Sequence, residues 1–218
     1  MTAAPITTPD AARAAPRVQV RRLLGELQAA VPTEERKGDR GLLAALRRVL
    51  GDELAFSPEA SRFVERFIAP EATETEAEAA YLIAALFAHY PHHTRREGHA
   101  RDRSLGRTLR AARFREGQVD QGVERRFIAL LDAPREELPT HLRQIVQLLE
   151  SRVQEPIDYE QLYWDVLRWE DPERRVQRVW AEAFWREERP AEATEAPEST
   201  VAAETERKER IDEGGNPR

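Results

Sequence analysis

Residues 73–90 read TETEAEAAYLIAALFAHY, and this stretch decides the fold of the chain. Thr73 and Glu76 stand three positions apart, which is the spacing of a capping box that begins a helix. From Ala79 to Ala88 almost every residue is apolar, so the helix has no polar face to turn toward solvent. Such a helix has to be enclosed by other elements. We therefore expect it to be the most buried helix of its half of the chain.

The rest of the chain also predicts helices. Ala, Leu, Glu and Arg dominate the 218 residues, and no segment shows the apolar–polar alternation of a strand. We predict an all-α fold, a compact bundle of about eight or nine helices with short connections, and keep two lobes joined near residues 90–103 as an alternative. The other predicted helices span 18–31, 41–50 ending at Gly51, a segment opened by Ser57 and Pro58, a segment capped by Ser104 that runs to about Arg115, 121–132, 136–151 with an irregularity at Pro139, 159–169 capped by Asp158, and a last segment from Asp171-Pro172 to about Glu188. A loop is predicted at 90–103, marked by Pro91 and Gly98.

The two ends of the chain have the composition of flexible peptide. Residues 1–16 are rich in Pro, Ala and Thr, and residues 190–218 are rich in Glu and lack apolar periodicity. We divide the chain into a flexible N terminus (1–16), a helical domain (17–189) and an acidic, disordered tail (190–218). We see no signal peptide, no apolar run of membrane-spanning length and no cysteine, so we expect a cytoplasmic protein without a membrane partner or a Cys-based site.

The formal net charge of −6 argues, taken alone, against a nucleic-acid partner. The average hides an asymmetry, because residues 187–218 hold ten of the 40 acidic residues and only five of the 34 basic ones. The remaining chain has 30 acidic and 29 basic residues and is close to neutral. Within it, residues 92–126 hold ten arginines against five acids. A basic surface is therefore compatible with the net charge.

The arginines of this central segment carry the sharpest functional signal. Arg103, Arg107 and Arg110 are spaced i, i+4, i+7, so on one helix they fall within about 60° of one another, opposite the apolar residues. Arg113 flanks this stripe, and no acid lies four residues away inside the helix to pair with it. We predict that the stripe binds phosphates; the alternative is a solvated face whose partners lie on other helices. Other arginines that point away from apolar faces are Arg40, Arg47, Arg48, Arg125, Arg126 and Arg143.

Other candidate sites are weaker. Four histidines on or beside a Pro- and Gly-containing loop suggest zinc, but the loop fixes no geometry and no Cys completes a tetrahedron, so we expect no metal and no cofactor. No Gly-rich phosphate loop, His-Glu-x-x-His or Ser-centred elbow is present, so we expect no catalysis. A metal-dependent nuclease that uses the histidine loop is kept as an alternative. The histidines are His89, His92, His93 and His99.

Aromatic residues crowd the last two predicted helices. At helical spacing such rings belong mostly to a core or to a partner interface rather than to a base-stacking site. Trp169 and Trp185 lie off the main apolar stripes, so we predict that these two are the interface candidates. The whole set is Tyr159, Tyr163, Trp164, Trp169, Trp180, Phe184 and Trp185.

Several short motifs occur in an order that resembles a known family. They are Gly41-Leu-Leu-Ala-Ala-Leu-Arg-Arg48, Ser104-Leu-Gly-Arg-Thr-Leu109, Val123-Glu-Arg-Arg-Phe127, His141-Leu-Arg-Gln144, Ile157-Asp-Tyr159, Asp165 followed by Trp169, and Trp180-Ala-Glu-Ala-Phe184. Over roughly residues 35–187 the series resembles the CasB family, the small subunit of the type I-E CRISPR Cascade surveillance complex. Each motif alone is weak, but their order and spacing are fairly specific.

The resemblance implies an all-helical, non-nuclease subunit, present in two copies beside the backbone subunits that carry the guide RNA. It also implies a basic face that contacts the opened target DNA, stabilises the R-loop and guides the displaced non-target strand in antiviral defence. The positions that carry over are Arg47, Arg48, Arg107, Arg125, Arg126 and Arg143, whereas Arg40, Arg103, Arg110 and Arg113 rest on the helical-face argument alone. The alternative is a structural helical adaptor whose arginine face pairs with a protein partner. The acidic tail after Arg189 is not part of the resemblance.

Overall fold

The computed structural model describes residues 17–50, 56–115, 117–152 and 155–186, and the predictions for 1–16, Gly51, Glu188 and 190–218 concern residues outside this set. The described part is all-α, as predicted. Its helices are α1 (Val20–Ala30), α2 (Arg40–Val49), α3 (Pro58–Val64), α4 (Glu74–His89), α5 (Ala100–Arg103), α6 (Leu105–Ala112), α7 (Gln121–Asp132), α8 (Leu138–Arg152), α9 (Tyr159–Leu167) and α10 (Arg175–Trp185).

Three short elements join the helices. Single 3₁₀ turns cover Glu65–Phe67, after α3, and Arg135–Glu137, before α8. Between α6 and α7 the chain forms a small antiparallel hairpin of β1 (Phe114–Arg115) and β2 (Gln118–Val119). Within the described residues, no helix combines the length and apolar character needed to cross a bilayer.

Helix α4 lies at the centre of the bundle. The Thr73 hydroxyl accepts a hydrogen bond from the Glu76 N–H, and the Glu76 carboxylate accepts one from the Thr73 N–H at 2.8 Å, which confirms the predicted capping box. Nine of its residues are buried, more than in any of α1, α2 and α3, so the prediction of the most buried helix is confirmed. Helices α1, α2, α3, α8 and α9 all pack against it.

The buried apolar residues form one cluster that draws on both halves of the chain. It joins residues of α1 to α4 with residues of α6 to α10. The predicted compact bundle is therefore confirmed, and the alternative of two lobes is not observed among the described residues.

The segment between α4 and α7 differs from its prediction. The predicted loop at 90–103 ends in the single helical turn of α5, and the extended backbone of Ser104 (φ −70°, ψ 156°) separates that turn from α6. Helix α6 ends at Ala112 rather than near Arg115, because the chain turns back into the β1–β2 hairpin. Gly117, at φ +78°, supplies the left-handed conformation that this turn needs.

Helix α10 begins at Arg175 rather than at Pro172. Arg174 has φ +51° and ψ 41°, a left-handed conformation that does not continue into a right-handed helix. Asp171, predicted to open the helix, instead accepts a hydrogen bond from the Glu173 N–H at 2.9 Å within the preceding turn.

Helices α6 and α10 approach at a glycine. A Cβ atom added at Gly106 would lie only 2.2 Å from the backbone oxygen of Trp180. Backbone atoms cannot yield as a flexible side chain can, so only glycine allows this distance between the two helices.

A buried carboxylate joins α9 to α10. Asp165 Oδ2 accepts a hydrogen bond from Trp180 Nε1 at 2.7 Å, and Asp165 Oδ1 accepts one from Gln161 Nε2 at 2.8 Å. Burial raises the pKa of Asp165 to about 6, although both hydrogen bonds act in the opposite direction.

The Gly106→Ala substitution should lower the free energy of unfolding by about 3 kcal/mol, because the new methyl group overlaps the Trp180 carbonyl and forces α6 away from α10. Gly25→Ala is the matched control, since an added Cβ on this exposed turn of α1 meets no atom within 4 Å. Helix propensity predicts that the control gains about 1 kcal/mol. Urea denaturation measures both, and equal effects would contradict the packing described.

The contribution of Asp165 to stability should decrease as the pH rises. Its carboxyl takes up a proton more readily in the folded state (pKa about 6) than in the unfolded state (3.8), so the stabilisation is complete below pH 3.8 and is lost as the pH rises through 6. The full change is roughly 3 kcal/mol. The Asp165→Asn variant cannot titrate, so the difference in unfolding free energy between wild type and variant isolates this group. A difference that stays constant from pH 4 to pH 6.5 would refute the assignment.

Candidate nucleic-acid interface

The ten predicted arginines divide by exposure into two equal sets. The exposed set holds Arg40, Arg47, Arg48, Arg125 and Arg126, and the half-buried set holds Arg103, Arg107, Arg110, Arg113 and Arg143. The division matters because a guanidinium that is already held by protein groups has fewer donors left for a phosphate.

The predicted stripe of Arg103, Arg107 and Arg110 is not formed on one helix. Arg103 belongs to α5, on the other side of the break at Ser104, and its Nε donates to Asp158 Oδ2 at 2.9 Å. The Asp158 side chain is fully buried, and its hydrogen bond raises the pKa of Arg103. The prediction of a continuous, unneutralised stripe was wrong, because the helix breaks and the compensating acid lies far away in sequence.

The other arginines of this segment are also engaged within the protein. Arg113 Nε donates to Glu124 Oε1 at 2.9 Å, and the Arg113 guanidinium carbon lies 5.3 Å from the Phe114 ring centre and 5.6 Å from that of Phe184. Arg107 and Arg110, both on α6, also interact with protein groups. Arg103 and Arg113 therefore fit the alternative prediction, in which the arginines of this segment pair with protein groups on other elements and are not free to bind phosphate.

The structure brings Arg47 and Arg143 together at the C-terminal ends of α2 and α4. Arg47 Nε donates to the Ala88 carbonyl at 2.7 Å, and Arg143 Nη1, from α8, donates to the Leu50 carbonyl at 2.9 Å. The carbonyl ends of helices carry partial negative charge, which such cations stabilise. Burial lowers the pKa of the neighbouring His89, and the charges of Arg143 and Arg47 act in the same direction.

Arg125 and Arg126 present the most accessible pair of charges on α7. Arg125 Nε donates to the Gln121 carbonyl at 3.3 Å, and Arg126 Nη1 donates to the Gly122 carbonyl at 3.2 Å. Neither has an ion pair with any residue in the described ranges. Arg40 and Arg48, exposed on α2, likewise have no hydrogen bond or ion pair to another described side chain.

Arg143 on α8 and Arg126 on α7 lie at a similar level along these two helices. An ion pair between Arg152 and Asp120 joins the end of α8 to the start of α7. Counted back from this pair, Arg143 lies about 13 Å along α8, and Arg126 lies about 9 Å along α7. The exposed candidate arginines lie on α2 and α7, and not on α6, where the sequence pattern had placed the centre of the basic face.

Carboxylates line a groove beside the N-terminal half of α4. The groove, of about 410 Å³, is lined by Phe56 and Tyr81 and by three carboxylates, Glu65, Glu74 and Glu78. The Tyr81 hydroxyl donates to Glu65 Oε1 at 2.9 Å. Glu74 and Ala88 are about 21 Å apart along the helix axis, so the Glu74 carboxylate and the Ala88 carbonyl that Arg47 binds lie at opposite ends of α4.

Sequence reasoning missed the structural role of Arg96. Its guanidinium donates to Thr108 Oγ1 at 3.2 Å, to Glu155 Oε1 at 3.1 Å and to the Pro156 carbonyl at 2.9 Å. Burial lowers the pKa of Arg96. The loop at 90–103 gave no periodic signal, so nothing in the sequence distinguished this internal arginine from its exposed neighbours.

His93 of the histidine loop and most of the aromatic set pack against other residues of the bundle. In the described ranges, no group of three or more His, Asp or Glu side chains is placed to hold a metal ion. His93 packs against Phe87 and Tyr159. Trp169 was predicted at an interface, but it is buried and its Nε1 donates to the Ala133 carbonyl at 2.9 Å, so that prediction was wrong. Trp185 is partly exposed.

The comparisons with known proteins agree on one family. The family model described as CRISPR-associated protein Cse2 matches residues 42–185. The CRISPR-associated protein Cse2 of Thermus thermophilus is 40% identical over 143 residues, which are 65% of this chain and 77% of that protein. The crystal structure of CasB from Thermus thermophilus has a TM-score of 0.59 at 34% identity, covering 77% of this chain and 98% of that one.

A more distant likeness concerns the fold alone. A chain in the crystal structure of E. coli Cascade bound to a PAM-containing dsDNA target has a TM-score of 0.53 at 22% identity, covering 77% of this chain and 96% of that one. The resemblance to the CasB family seen in the sequence motifs is confirmed by the family match and by the Thermus relatives. The chain belongs to the CRISPR-associated Cse2 family, also called CasB.

Proposed function

We propose that this protein is the non-catalytic small subunit of a CRISPR RNA-guided surveillance complex. In this proposal it binds the opened target DNA, especially the displaced non-target strand, and stabilises the R-loop. Membership of the Cse2 family supports the first part, and a chain of the same fold occurs in E. coli Cascade bound to a dsDNA target. The exposed cations of α7 and α2 support the second part.

The proposed partners are the other Cascade subunits with their guide RNA, the two target DNA strands and a second copy of this chain, in the cytoplasm. Sequence specificity comes from base pairing between guide and target, so this subunit needs no contacts to base edges. Formation of an R-loop exchanges one duplex for another of similar stability. A few backbone contacts to the displaced strand are therefore enough to shift the balance.

The observation that carries the proposal is the exposed pair Arg125 and Arg126. Their only hydrogen bonds to described residues go to backbone carbonyls of their own helix, so most of their donors face solvent. A bridging phosphate offers such guanidinium groups charge-assisted hydrogen bonds that water cannot match. Of the remaining predicted residues, Arg40, Arg47 and Arg48 rank next, because they too are exposed.

The half-buried arginines favour the second candidate, a structural adaptor. Arg103 and Arg113 are paired with Asp158 and Glu124, and Arg143 holds the end of α2, so these side chains stabilise the fold whether or not DNA binds. An adaptor of this kind would use its exposed cations for a protein partner. Comparing the R-loop affinity of the assembled complex with and without the Arg125 and Arg126 charges separates the two candidates, because their loss from a pure adaptor would impair subunit assembly and leave the DNA affinity of assembled complexes unchanged.

Replacing Arg125 and Arg126 together by Ala should lower the affinity of the reconstituted complex for its target DNA roughly tenfold at low salt, because two phosphate contacts are lost. The slope of log affinity against log salt should become shallower by about 1.4. The matched control is Arg62→Ala with Arg178→Ala, which removes the same charge from two exposed positions outside the proposed face. Assembly should be intact in both. If the two double variants have the same affinity and salt slope, the proposed DNA contact does not exist.

A further inference from the structure

The β1–β2 hairpin exposes an apolar pair. Phe114 and Val119 are directly opposite each other in the antiparallel register, so their side chains lie on the same side of the hairpin. Phe114 is 52% exposed and Val119 is 41% exposed. Neither contributes to the core cluster. The hairpin therefore holds an aromatic ring at the surface that folding alone does not require.

The position of the Phe114 ring is fixed by contacts at the base of the hairpin and by the Arg113 guanidinium. The Asp120 N–H donates to the Arg113 carbonyl at 2.7 Å and closes the base of the hairpin. The Arg113 guanidinium lies between the rings of Phe114 and buried Phe184 and is itself held by Glu124. A ring packed on one face by a guanidinium that is already anchored loses little freedom when a ligand covers its other face.

Two accessible charges are carried by the helix that follows the hairpin. Helix α7 starts directly after β2, and the guanidinium groups of Arg125 and Arg126 fold back onto the carbonyls of Gln121 and Gly122 in its first turn. Gly122 leaves room for this, since a Cβ there would lie 3.3 Å from Arg126 Nη1. The hairpin and the first turn of α7 thus combine one exposed aromatic face with two cations.

We propose that Phe114 is a base-stacking platform for a single strand of nucleic acid whose phosphates are held by Arg125 and Arg126. The inference rests on the proposed function. It assigns to the Phe114 ring the recognition of a single strand in preference to a duplex. In a duplex the faces of the bases are covered by their neighbours, whereas an unpaired base offers its face to a ring. Such a combination of positive charge and aromatic ring is typical of sequence-tolerant single-strand binding.

The platform would give the R-loop a second kind of stabilisation. A displaced base that stacks on Phe114 is not available to pair again with the target strand. Stacking on an aromatic side chain contributes about 1–3 kcal/mol per base and does not depend on salt through counterion release. It therefore acts separately from the phosphate contacts of Arg125 and Arg126.

The test compares Phe114→Ala with Phe56→Ala in the reconstituted complex. Phe56 is 82% exposed but lies in the groove lined by Glu65, Glu74 and Glu78, where phosphates are repelled. Two targets are used, identical except that a short window of the displaced strand, moved along its length, carries either thymidines or abasic residues. The measured quantities are the lifetime of the R-loop and its salt dependence.

With the thymidine strand, Phe114→Ala should shorten the lifetime roughly tenfold with an unchanged salt slope, whereas Phe56→Ala should have no effect. With the abasic strand, the two variants should behave alike, and Phe114→Trp should restore the wild-type lifetime on thymidine. The last variant shows that any loss comes from the ring and not from misfolding.

Three results would overturn the platform. Phe114→Ala could match Phe56→Ala on thymidine, it could shorten the lifetime equally on both strands, or it could impair only the association of protein subunits, which would make the patch a protein interface. If in any of these cases the Arg125/Arg126 double variant still loses affinity, the proposed function stands without the platform. If neither the arginines nor the ring affects the R-loop, the proposed function fails as well.

Discussion

A helix that is apolar around its whole circumference can exist in water only when other helices cover it, and α4 imposes this requirement on the entire bundle. Helices α1, α2, α3, α8 and α9 pack against it, and each supplies an apolar stripe to one common core. The charged and capping groups of α4 lie toward its two ends, and between them the Tyr81 hydroxyl donates to Glu65. The capping box and its carboxylates occupy the N-terminal end, and Arg47 satisfies a carbonyl at the C-terminal end.

The packing of helices around α4 also determines which arginines are partly buried and which are exposed. Some arginines lie partly buried between helices and bind protein groups there. The Asp158 carboxylate accepts hydrogen bonds from the Arg103 side chain and from the backbone N–H of Arg96. It also caps α9 by accepting one from the N–H of Gln161. The arginines on the outer faces of α2 and α7 stay accessible. An arginine-rich sequence is thus not equivalent to a basic surface. The exposed set defines a smaller candidate interface on α2 and α7, and not on α6.

Features that depend on local sequence patterns could be predicted from the sequence alone. The capping box at Thr73, the N-cap at Ser104 and the enclosed helix from Ala79 to Ala88 were all predicted correctly, because periodicity and capping chemistry act over a few residues. The break between α5 and α6 and the late start of α10 at Arg175 were not predictable. The pairing of Arg103 with Asp158 joins residues 55 positions apart, and no local rule reports it. The exposed ring of Phe114 required the register of the hairpin.

The central claim is that the displaced strand runs over the surface formed by the β1–β2 hairpin and α7. Photochemical cross-linking tests it directly, with 5-iodouracil placed in the displaced strand of an R-loop held by the reconstituted complex and the cross-linked peptides identified by mass spectrometry. The account predicts cross-links to peptides of this chain that contain Phe114 or the first two turns of α7. Cross-links that fall only on other subunits, or on the segment around Phe56 and Glu74, would contradict it.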